Sequence, residues 1–162
     1  MIFVTVGTHE QPFNRLVEYM DNWASEHKEE VVIQTGFSTY KPRIAKWQKL
    51  FSYSEMVDNV DMARIIIAHG GPSTFIMPLQ IGKVPIVVPR MKKFDEHVND
   101  HQLEFCNQVS KRQGNIIVVE DVNDLGNVLD RYEEIVESMN KGLPKNNDLF
   151  CAGFSKIVDA LV

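Results

Sequence analysis

Five short runs of mainly valine and isoleucine recur along the chain, at 2–6, 31–33, 65–68, 85–88 and 116–119. They are apolar at consecutive positions, not at alternate ones. Strands of that kind need cover on both faces, which a sheet with one wet face does not give. The segments between them have helical spacing. Pro12 suits a first helical position. Phe13, Leu16, Val17, Met20 and Ala24 then predict a helix over 12–25. Another opens at Pro72, with Phe75, Ile76 and Leu79 on one face and Gly82 as its stop. Further helices are predicted over 54–62, 97–112, 121–139 and 148–161. A short strand is expected near 50–53, after an irregular stretch at 37–49. The alternation predicts an α/β fold: a Rossmann-like parallel sheet with helices on both faces.

The 162 residues fit one domain, 1–162. A loop at 141–148 leads to the last helix, whose stripe of Leu149, Phe150, Phe154, Ile157, Val158 and Leu161 either covers this domain's own sheet or docks on another chain. The net charge of −5 sits poorly with nonspecific nucleic-acid binding, which needs basic surface. Cys106 and Cys151 lie far apart, as expected of reduced thiols in a cytoplasmic protein. No signal peptide and no run of about 20 apolar residues is present, so membrane association is expected through a surface or a partner.

In an open parallel sheet, ligands bind beyond the carboxyl ends of the strands. Those ends here are 7–10, 34–38, 69–74 and 89–97, all rich in glycine, hydroxyls, charge or histidine. The opposite edge, at 29–30, 62–64 and 83–84, reads as solvated turns. In His69-Gly70-Gly71-Pro72-Ser73-Thr74, the glycines bare the backbone and Pro72 starts a helix without wasting a donor. The free amides and dipole of a helix start suit a phosphate or diphosphate, and Ser73 and Thr74 add hydroxyls. The alternative is a tight turn with a capping hydroxyl. No Gly-Lys-Ser/Thr follows, and the first loop has a lone Gly7, so neither a Walker loop nor a dinucleotide fingerprint is present.

His97 and His101 are four apart and would share a helix face, but the sequence between them lacks the metalloprotease pattern and no metal is expected. Polar recognition by Asn99, Asp100, His101 and Gln102 suits a ribose or sugar. His9 and Glu10 are the acid/base candidates. The basic residues around Trp47 make either a solvated loop or a face for an acidic partner or lipid headgroups.

The segments FVTVGTHEQPFNRL, HGGPSTFIMPLQIGKVPIVVPR and FDEHVNDHQLEF occur in order from the start of the chain to about residue 106. In them the sequence resembles the C-terminal, donor-binding domain of glycosyltransferase family 28. It resembles most the stand-alone bacterial subunits of capsular and exopolysaccharide synthesis, which are similar to the catalytic subunit of the split N-acetylglucosaminyltransferase of dolichol-linked assembly. The resemblance implies one half of a GT-B enzyme with a UDP-sugar as co-substrate and no other cofactor. It implies that Gly7, Thr8 and His9 face the diphosphate, that His69, Gly70, Gly71, Ser73 and Thr74 lie at the donor phosphates, and that Asp100, His101 and Gln102 contact sugar or ribose. Many relatives carry a ribose-binding glutamate where this chain has Met77.

The expected activity is inverting transfer of galactose or N-acetylglucosamine to a lipid-linked glycan, with His9 or a partner group as base. The expected partner is a membrane-anchored, acceptor-binding subunit that supplies the other half and holds this chain at the inner face of the cell membrane. The rival expectation is a non-enzymatic nucleotide-sugar-binding or assembly subunit; a more distant one is a flavodoxin-like module.

Overall fold

A computed structural model describes residues 1–140. By contact the chain falls into two units, Met1–Asp130 and Arg131–Val162. The expected helix over 148–161 and Cys151 lie outside the described residues.

The first unit holds a six-stranded, all-parallel sheet: β1 (Ile2–Thr5), β2 (Val31–Gln34), β3 (Lys46–Gln48), β4 (Ile65–His69), β5 (Ile86–Val88) and β6 (Ile117–Val118). The order is β3-β2-β1-β4-β5-β6, with Ile2 opposite Val31 on one side and Ile65 on the other. Every residue of β1 and β4 is buried. Burying one such aliphatic side chain is worth about 1.5–3 kcal/mol, so these two strands anchor the core. The helices of this unit are α1 (Asn14–Glu26), α2 (Tyr53–Met62), α3 (Pro72–Gln80), α4 (His101–Gln113) and α5 (Leu125–Asp130). In the second unit, α6 spans Tyr132–Asn140. The single helix expected over 121–139 is therefore a 3-10 turn at Val122–Asp124 followed by α5 and α6.

Other boundaries differ for identifiable reasons. Pro12 precedes α1, whose start is tied sideways: Ser38 Oγ accepts the Phe13 amide, and Asn14 Oδ1 accepts those of Thr39 and Tyr40. The strand expected near 50–53 is at 46–48 instead, because ladder bonds to β2 and not its own apolar content make β3 a strand. Residues 52–55 form a capping box for α2, with Ser52 and Glu55 exchanging bonds with each other's amides. On α3, Phe75 is buried and Leu79 packs beside it, whereas Ile76 is exposed. Lys83, expected in a solvated turn, donates from Nζ to the carbonyls of Val60, Asp61 and Ala63 and so satisfies the end of α2.

The stretch 40–45 is held by one buried carboxylate. Asp21 accepts the amides of Arg43, Ile44 and Ala45 and the Tyr40 hydroxyl, each at 2.9 Å. Burial works against its charge, but these four donors outweigh it and hold the Asp21 pKa below the ordinary carboxylate value. Asp21→Ala strands four donors, of which the Ala45 amide is buried and the others partly so, and is expected to lower stability by about 3 kcal/mol in urea unfolding. Asp21→Asn, which keeps one acceptor, should recover part of that loss.

Candidate functional site

The direction of strand connection reverses between β1 and β4, so the crevice at their carboxyl ends is the topological switch point. The imidazole of His69, the last residue of β4, fills its floor. Gly7 has φ +72°, and Gly7 and Gly71 both abut the ring. A Cβ on Gly7 would stand 2.2 Å from His69 Nε2, and one on Gly71 would stand 2.3 Å from His69 Cε1. The glycines thus make room for a histidine as well as baring backbone. Gly70 is hemmed in by Gln102 and Cys106: its Cβ would meet Gln102 Cβ at 2.9 Å and Cys106 Sγ at 3.1 Å.

Gly71 caps the start of α3, where Pro72 has no N–H and the Thr74 amide donates to Gly71 O at 3.1 Å, so Ser73 supplies the first-turn amide left for a ligand. The Gly71 amide is spent locally, donating to His69 Nδ1 at 3.1 Å. Ser73 is exposed at this helix start. The Thr74 hydroxyl donates to Gly71 O at 2.7 Å, back towards the turn, and no side chain caps this helix start. Thr8 is exposed beside Gly7. The Gln102 side chain accepts the Arg90 amide through Oε1. Asp100 and His101 are exposed at the start of α4; Asp100 accepts the Lys92 amide, and His101 meets Glu104. Met77 packs against the apolar cluster of Phe3, Val60, Ala63 and Ile66. His97 and His101 do not share a helix face, because His97 precedes α4 and its ring lies 4.9 Å from that of His9.

Arg90, which sequence reasoning passed over, holds these loops together from beneath. It is fully buried. Its Nη1 donates to the carbonyls of Gln11, Pro12 and Glu96, and its Nη2 to that of Val6. Its Nε has no partner among the described residues. Burial pushes the Arg90 pKa down to about 10, opposed by Glu96, so the group stays charged at neutral pH. Glu96 is itself buried. It takes two bonds from Arg15, at 2.8 and 3.0 Å, and one from the Met91 amide. The available signal was an arginine two residues past a buried strand, inside a loop already marked as part of the carboxyl edge.

Burial, reinforced by the buried cation, disfavours charge on His69 and His9. Burial first, then Arg90, lowers the His69 pKa to about 4, with Gln102 opposing. His9 is lowered by burial, then by Arg90 and His97, with Glu10 opposing. His9 Nδ1 accepts the Gln11 amide at 3.2 Å. A neutral His9 so bonded carries its proton on Nε2 and presents a donor there. It can take a proton at Nδ1 only by releasing Gln11. Among the described residues, no group of three or more His, Cys, Asp or Glu side chains could hold a metal ion, and no helix is long and apolar enough to cross a membrane.

The sheet order and the glycine-lined crevice over a buried cation define a Rossmann-like α/β domain. The chain matches the glycosyltransferase family 28 C-terminal domain over residues 1–154, and it belongs to that family. No curated protein matches it. Among solved structures it is similar to the glycotransferase of kitacinnamycin, at 15% identity and TM-score 0.52, over 75% of this chain and 30% of that one. It also matches the glycosyltransferase SnogD from Streptomyces nogalater, at 18% identity and TM-score 0.46, over 74% and 30%. The chain thus spans less than a third of the length of these solved glycosyltransferases.

Proposed function

We propose that this chain is the donor-binding, catalytic half of a two-component inverting glycosyltransferase that uses a UDP-sugar. The observation that carries the reading is the start of α3, opened by two glycines beside the Gly7 loop at the switch point, above the buried charge of Arg90. The dipole of this helix start, its Ser73 amide and a fixed positive charge would stabilise a departing diphosphate without reorganising. Family membership supports the same ligand class.

In the proposed reaction an acceptor hydroxyl oxygen bonds to the anomeric carbon. The bond from that carbon to the diphosphate breaks, and UDP leaves with the electron pair. Gly70, Gly71 and Ser73 receive the diphosphate, His9 and Thr8 border it, and Gln102, with Asp100 and His101, meets the ribose or sugar. The acceptor's proton goes to His9 or to a base on the other half. A membrane-anchored partner supplies that half, with galactose or N-acetylglucosamine as the sugar and a lipid-linked glycan of capsule or exopolysaccharide synthesis as the acceptor.

UDP titrated calorimetrically into the chain with its partner should bind, and Gln102→Ala should weaken binding about tenfold while the variant stays folded, with a small fall in melting temperature from the Arg90 amide it leaves unpaired. Absence of binding by the folded protein, or a Gln102→Ala variant of unchanged affinity, would overturn the reading. A bulky residue at Gly71 is a poorer probe, since it strikes the His69 ring.

A further inference from the structure

Residues 37–54 carry Lys41, Arg43, Lys46 and Lys49 and no acidic residue, in a chain whose net charge is −5. Five of their side chains with large apolar surface are exposed: Ile44 by 59% and Tyr53 by 78%, with Phe37, Trp47 and Leu50 each just over 40%, whereas Phe51 packs inward on Phe3. Single exposed apolar residues are ordinary. Here five lie interleaved in sequence with four cations over residues 37–53, around the edge strand β3.

The local geometry makes this a built surface. β3 is the outermost strand of its side. The ladder continues past it, since the Thr35 amide donates to Gln48 O and the Gly36 amide to Lys49 O. Trp47, on β3, and Lys49, just past its end, are both exposed on this edge. Lys49 Nζ sits 4.4 Å above the Phe37 ring, which joins Phe37 to the same patch. Lys46 pairs with Glu30. Arg43 and Ile44 are exposed, yet their backbone is pinned by Asp21.

We propose that this edge binds the surface of an anionic phospholipid bilayer directly, with no partner needed. Aromatic tips such as Trp47 and Tyr53 favour the headgroup layer. Lys41, Arg43 and Lys49 are drawn to its phosphates, with their stems lying along the apolar boundary. Gly36, next to Phe37, abuts Gly7, so a bilayer on this edge lies beside the donor crevice. The binding itself does not depend on the proposed transfer activity.

The test is co-sedimentation of the full chain with vesicles of phosphatidylglycerol and phosphatidylcholine, against phosphatidylcholine alone. The account expects binding to the anionic vesicles that fades in about 0.5 M salt. Neutralising one basic residue should weaken it about fivefold, so Arg43→Gln with Lys49→Gln should weaken it about 25-fold. Trp47→Ser should weaken it further, with UDP affinity unchanged in each variant and melting temperature unchanged in the charge variants. No binding to anionic vesicles, equal binding to phosphatidylcholine, or wild-type binding by the double variant would overturn the proposal. No binding would leave the patch to an acidic protein. Failure of the UDP titration would leave the vesicle result standing.

Discussion

Arg90→Met is expected to lower the free energy of unfolding by about 3–5 kcal/mol, one of the two largest losses available to a single change in this chain. The guanidinium is buried and donates to four carbonyls, from Val6, Gln11, Pro12 and Glu96. Methionine keeps the stem but leaves those acceptors with no donor and Glu96 with one cation fewer nearby. Arg90→Lys keeps the charge and loses the fork, so its loss should be intermediate. Urea unfolding followed by circular dichroism measures both. A loss below about 1 kcal/mol for the methionine variant would mean that Arg90 does not organise the carboxyl-edge loops.

Gly7→Ala is expected to lose comparable stability by a different route. A side chain at φ +72° is strained by roughly 1–2 kcal/mol. Its Cβ would also overlap the His69 ring, adding about 1–3 kcal/mol of overpacking. The second part belongs to the pair. His69→Ala removes the ring, so the double variant should be more stable than the two separate losses imply, by about 1–3 kcal/mol. Additive losses would contradict the packing account. His69 also gives a pH signature. Its folded pKa of about 4 lies below the unfolded value near 6.5, so its neutral form stabilises the fold fully above pH 6.5. That stabilisation is lost as pH falls from 6.5 towards 4, and His69→Ala should flatten this part of the stability profile.

Strands whose burial is written in their own residues were legible. β1, β2, β4, β5 and β6 fall where Val and Ile cluster, and their order along the chain predicted the parallel sheet. β3 was not legible, because Lys46, Trp47 and Gln48 are all exposed and only the ladder with β2 defines them. His97 seemed helical by spacing, yet α4 begins at His101, once the Lys92–Phe94 turn and the left-handed Asp95 have redirected the chain. In the candidate site, the loops that converge could be read from strand ends alone. Their interior could not. No periodicity reveals that Gly7 and Gly71 abut one imidazole, or that Arg90 reaches the carbonyl of a residue 84 positions away. Those are long-range contacts that only the folded sheet creates.

The central claim is that a nucleoside diphosphate binds between the Gly7 loop and the start of α3. Titrating UDP into isotopically labelled protein and following backbone amide shifts by NMR tests it most directly. The account predicts saturable shifts at Thr8, Gly70, Gly71 and Ser73, with a smaller response at Gln102 and none along β3. Saturable shifts confined to other parts of the chain, or no shifts at millimolar UDP, would contradict it.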